Sequence, residues 1–139
     1  MKPTWSFLFL SCALLFVACQ KQSEQQTKES LRAKVQGQWM LVRFTDETFA
    51  PGGSRTLNEE QLGGSGDSLV FRPNGELHTY DDGVQTNIET YEVISPTKIL
   101  VEQEEWESSQ PSGNELQLVS EDRDANGERN RLTIQLKRP

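Results

Sequence analysis

Asp67-Ser68-Leu69-Val70-Phe71-Arg72-Pro73-Asn74-Gly75-Glu76-Leu77-His78-Thr79-Tyr80 reads as strand, turn, strand. Apolar and polar residues alternate, and Asn74-Gly75 supplies the positive φ of a tight turn. The pattern repeats on both sides. Upstream, Gln38-Trp39-Met40-Leu41-Val42-Arg43-Phe44 predicts a first strand. Downstream, Asp81-Asp82-Gly83 turns the chain into a strand over Thr86–Ile94. Ser95-Pro96-Thr97 leads to a strand over Lys98–Gln103, a run that can extend to Trp106. The connection Ser108–Asn114 precedes a strand over Glu115–Ser120, and Asp122–Gly127 precedes one over Arg129–Lys137. Period-two runs separated by turn residues predict an all-β chain. About seven strands joined as hairpins make an antiparallel up-and-down meander. Such a meander closes as a barrel or folds as a sandwich. Closure removes exposed edges, so a small barrel of about seven to eight strands is expected.

Alternation also assigns an interior. Trp39 and Leu41, Leu69 and Phe71, Tyr91 and Val93, Ile99 and Val101, Leu116 and Leu118, then Leu132, Ile134 and Leu136 share the inward faces of their strands. If the interior is hollow, these residues line a ligand cavity. If it is filled, they are the core. One long connection, Thr45 to Gly66, interrupts the meander. Within it, Thr56-Leu57-Asn58-Glu59 has capping-box spacing and predicts a single helical turn through Leu62, stopped by Gly63-Gly64.

The N-terminus carries an address. Lys2 precedes an apolar run from Thr4 to Ala18. At about 15 residues it is too short for a transmembrane helix and has the length of an export-signal core. It ends Leu15-Phe16-Val17-Ala18-Cys19, which resembles the bacterial lipobox, with Phe16 where Leu is commoner. The resemblance implies a signal over residues 1–18, cleavage after Ala18 and diacylglyceryl attachment to the Cys19 thiol. Residues 19–34 then read as a polar, flexible tether, with one short helical turn over Ser30–Val35, and residues 35–139 as the barrel domain. Gln20, rather than Asp, follows the lipidated Cys, which points to the outer membrane of the envelope.

The bulk numbers narrow the function. The net charge is −7, and loss of Lys2 makes it one unit more negative. An acidic surface argues against nucleic acid or anionic headgroups as partners, so membrane association falls to the lipid on Cys19. The two cysteines are Cys12, in the leader, and Cys19. With both accounted for, no disulfide, thiolate nucleophile or thiolate metal site is expected.

Gly37-Gln38-Trp39 opens the first strand after a short helical turn. This resembles the Gly-x-Trp signature of the lipocalin and calycin barrels. Gly37-Gln38-Trp39-Met40-Leu41, Phe71-Arg72-Pro73-Asn74-Gly75 and Glu89-Thr90-Tyr91-Glu92-Val93 are similar to the run found in short lipocalin-like domains of bacterial lipoproteins. The resemblance spans roughly Val35 to Lys137. It implies a barrel with a large first loop over Thr45–Gly66 and a late basic residue packed on Trp39, for which Arg131 and Arg138 both qualify. It also implies non-enzymatic binding of a small apolar or amphipathic ligand. A barrel this short leaves a second reading: a filled interior and an envelope interaction module that displays loops to a protein or glycan.

Other constellations read as surface features. Asp122-x-Asp124-x-Asn126-Gly127 matches half a calcium loop, but Thr133 stands where the bidentate Glu belongs, so an acidic turn is expected. In Glu102-Gln103-Glu104-Glu105-Trp106-Glu107 a continuous strand places Glu102 and Glu104 on one face, a solvated edge rather than a catalytic pair. Trp106 is either an exposed platform or a barrel plug. His78, the single histidine, shares a face with Tyr80 and is expected at the surface or rim. Gly63-Gly64-Ser65-Gly66 lacks the Lys and helix of a phosphate loop. No cofactor, metal or catalytic residue is expected.

Overall fold

The computed structural model describes residue 25 and residues 27–139, with the side chains of 110–112 outside that description. The expected leader, residues 1–18, and Cys19 also lie outside the described residues. After a helix over residues 27–35 come nine strands. They are β1 (Gly37–Phe49), β2 (Arg55–Leu62), β3 (Ser68–Phe71), β4 (Glu76–Asp81), β5 (Val84–Val93), β6 (Lys98–Val101), β7 (Glu104–Ser112), β8 (Glu115–Arg123) and β9 (Arg129–Lys137). Every neighbouring pair is antiparallel. β3 to β9 follow one another around the sheet. β1 joins the two ends: Gly37–Met40 pair with β3, and Met40–Phe49 pair with β9. Eight strands therefore form a closed meander barrel, as the hairpin pattern predicts. β2 is extra. It pairs with β1 from Arg43 to Phe49, beyond the stretch that β3 covers.

β2 corrects two expectations. The Thr45–Gly66 segment is not a loop: β1 runs on to Phe49, turns through residues 50–54 and returns as β2. Thr56 and Glu59 cap no helix: Glu59 pairs with Asp46 of β1, and Thr56, at a bulge in that pairing, donates its hydroxyl to the Thr48 carbonyl. Cross-strand pairing outweighed a four-residue local signal. The Glu-rich segment is also not one strand. β6 stops at Val101, Glu102-Gln103 turn, and β7 runs from Glu104 to Ser112, through most of the expected Ser108–Asn114 connection. Glu102 takes a left-handed φ of 54° there. Its carboxylate compensates by accepting from the Thr90 N–H at 2.9 Å. The expected turn over Ser30–Val35 is part of the longer 27–35 helix, whose Leu31 and Val35 are buried in the core.

One end of the barrel is sealed. Trp39, Val35 and Ile99 are fully buried, and Phe71, Leu116, Leu118 and Leu136 nearly so. Phe71 and Tyr91 meet edge to face at 5.1 Å, and the Tyr91 hydroxyl donates to the Arg72 carbonyl in the β3–β4 turn. Trp39 Nε1 donates to the Val35 carbonyl at 2.7 Å. Arg138, not Arg131, covers the indole, its guanidinium 3.9 Å from the ring. It donates to the Lys34, Gln36 and Gln38 carbonyls at 2.8, 2.9 and 3.3 Å. Gly37, at φ 107°, lies beneath it; a Cβ there would sit 2.6 Å from the guanidinium. Arg131 instead points outward, to Glu121 and Phe49.

Replacing Arg138 with Ala leaves the helix-end carbonyls without their donor and is expected to cost about 1–3 kcal/mol. Lys is expected to restore little, because an ammonium cannot stack and fork to three acceptors at once. A fall in the urea midpoint for both variants, with the slope unchanged, is the expected result.

Candidate functional site

The open end is built from strands of unequal length. β1, β2, β8 and β9 form a tall wall, whereas β3 holds only Ser68–Phe71 and β4 turns at Asp82-Gly83. Where β3 begins, the sheet parts between β2 and β4, and a cleft of about 350 Å³ opens. Its apolar wall is Leu41, Phe44, Leu69 and Ile134, all half-buried. Its rim carries Gln61, Asp67, Ser68, Thr79, Tyr80 and Asp81. The cleft sits one layer above the plug, since Leu41 follows Trp39, and Ile134 precedes Leu136, on the same strand faces.

A short loop shapes the rim. Asp67 Oδ2 accepts from the Gly64 N–H at 2.7 Å and Oδ1 from the Asp82 N–H at 3.0 Å. The Gly83 N–H donates to the Gly66 carbonyl, which docks the β4–β5 tip onto the loop. Gly66 has no room for a side chain, because a Cβ would overlap the Asp82-Gly83 backbone. The carboxylates of Asp67, Asp81 and Asp82 have oxygens within 4.8 Å of one another and are the group among the described residues able to hold a metal ion. The hydrogen bonds from Gly64 and Asp82 hold the Asp67 carboxyl below its ordinary range. The Asp67 charge in turn pushes Asp81 upward.

The thirteen residues assigned inward all face the interior, but they divide. Trp39, Phe71, Tyr91, Val93, Ile99, Leu116, Leu118 and Leu136 are packed core, with Leu41, Leu69, Val101, Leu132 and Ile134 against them. Of these, Leu41, Leu69 and Ile134 line the cleft. Alternation missed Phe44 and Leu77 as interior residues. Trp106 is buried in the core cluster, which decides for the plug. A bulge between Leu41 and Arg43 turns Phe44 inward against Ile134, a shift that strict alternation cannot supply.

Other expectations resolve locally. His78 is buried rather than at the surface, with Nδ1 3.0 Å from Gln85 Oε1 and Nε2 2.9 Å from Glu76 Oε2. That contact holds Glu76 below its ordinary pKa. Asp124 Oδ1 accepts from the Asn126 and Glu128 N–H groups, each at 2.9 Å, as a turn residue does. Glu105 pairs with Lys98, and Glu102 is bound to Thr90. The sequence matches no known protein family and no curated protein.

Asp67→Asn removes the charge that raises Asp81. The Asp81 pKa is therefore expected to fall towards its ordinary 3.8, as read by carboxyl-carbon NMR titration. Asp67 itself is depressed, so its contribution to stability is present above 3.8 and is lost as the pH falls through its lower folded value.

Proposed function

We propose that this chain is a lipid-anchored, lipocalin-like protein of the bacterial cell envelope, in the outer membrane, that binds a small apolar or amphipathic molecule and performs no chemistry on it. The contrast between the two ends of the barrel carries this reading. One end is packed solid around Trp39, and the other holds an apolar-walled cleft with a polar rim. Such a combination of apolar wall and few polar groups is what small-molecule sites are made of. Burial of an apolar body against Leu41, Phe44, Leu69 and Ile134 would supply about 25 cal/mol for each Å² removed from water.

The anchor and the cleft fit together. The helix over 27–35 docks at the sealed end, so an attachment through Cys19 would reach the barrel from the end opposite the cleft. Residues 20–26 between them reach at most about 25 Å. The second reading, an interaction module, draws on β2, all eight of whose residues are exposed. Its Arg55, Glu59 and Glu60 are the charges that edge strands carry against unwanted pairing, which favours the ligand reading.

Two measurements test the proposal. Native mass spectrometry of the protein purified from cells without denaturation is expected to show a reproducible bound mass. Ile134→Trp, which fills the cleft, is expected to abolish it. Retention of the mass in that variant, or a bare chain after incubation with envelope extract, overturns the ligand reading. Separately, Cys19→Ser is expected to move the protein from the membrane to the soluble fraction.

A further inference from the structure

The inner and outer faces of the open end differ in charge. The strand-borne bases point outward. Arg43 pairs with Glu60, Arg55 with Glu47, and Arg129 and Arg131 with Glu121. Arg129 and Arg131 also cover the outer face of Phe49. The acids of the inner face have no such neighbours in register. Asp46 lies opposite Leu132 and Glu59, on the face of Phe44 and one step further towards the open end. Asp67 and Asp81 stand at the cleft itself. An apolar wall thus meets a rim of one sign, and Asp81 is exposed and within reach of whatever enters.

We propose that the cleft selects small amphipathic cations, with a short apolar body against Leu41, Phe44, Leu69 and Ile134 and an ammonium group at the Asp67–Asp81 rim. This rests on the ligand reading above and narrows it to a chemical class. Asp67 is committed to the Gly64 and Asp82 N–H groups and stays in place; Asp81 is the adjustable partner. An anionic amphiphile such as a fatty acid meets the same rim as a penalty, because a like charge there is desolvated without a partner.

The test uses three water-soluble probes with one six-carbon body: hexylamine, hexanol and hexanoate. Each is titrated into the full chain at neutral pH and read at the amides of Leu69, Thr79 and Ile134 by NMR. Hexylamine is expected to bind about two- to fivefold more tightly than hexanol, the range of an exposed charge pair. Hexanoate is expected to bind most weakly. Asp81→Asn should bring hexylamine close to hexanol without changing hexanol, and Asp81→Lys should reverse the order of amine and acid. Equal affinities, or an amine preference that survives both variants, overturn the inference and leave the ligand reading standing. No shift at these amides with any probe overturns both.

Discussion

Arg138 holds the barrel shut, and the rest of the architecture depends on that seal. It is the residue after β9, yet it reaches the helix, the start of β1 and the indole of Trp39 together. The carbonyls of Lys34 and Gln36 are groups a helix end leaves without partners, and a cation there also meets the negative end of the helix dipole. A planar guanidinium serves all of these roles because it stacks by its face and donates from its edge. Trp39 completes the loop by donating back to Val35. The two ends of the folded chain are therefore tied through one ring and one fork. No disulfide among the described residues shares the task.

Sealing one end fixes where space can exist. Side chains of Trp, Ile, Leu and Phe fill a narrow eight-strand barrel without help, and here they do so in the lower layers. The upper end is different because the strands are unequal. β1 has 13 residues and β5 has 10, but β3 and β6 have four each. A strand shorter than both its neighbours, as β3 is beside β1 and the six-residue β4, leaves a gap in the wall. The gap at β3 is bridged only by the Gly63–Asp67 loop, which Asp67 ties to the β4–β5 tip. The cleft is thus a consequence of strand length rather than of an enlarged barrel.

The meander and its turns were legible because local chemistry and global fold agree there. Asn74-Gly75 and Asp82-Gly83 adopt the turns their residues favour, and the alternation in β3, β8 and β9 marks their buried faces. What could not be read is where pairing overrode local preference. β2 is exposed throughout, Leu57 and Leu62 included, so it has no buried face to give it a period; its strand state comes from seven register pairs with β1. Glu102 sits in a turn with a φ that favours Gly, and only the distant Thr90 N–H explains it. His78 lies on the outer face yet is covered by the side chains of Glu76 and Gln85, a burial that no inward–outward pattern encodes. Of the candidate site, the apolar wall could be guessed from alternation except for Phe44, and the acidic rim could not, because Asp67 and Asp81 meet only through the fold.

Phe44 points to the device that separates the charges. Leu41 faces inward, so strict alternation would turn Arg43, Thr45 and Glu47 inward and Phe44 and Asp46 out. The bulge at Val42 shifts the register by one and exchanges the two sets. Arg43 is carried out to Glu60, while Phe44 joins the cleft and Asp46 the inner face. Without it, a buried guanidinium would sit beside Leu41 and neutralise the rim. A single inserted residue on the longest strand therefore supplies both halves of the site, its apolar wall and its negative interior.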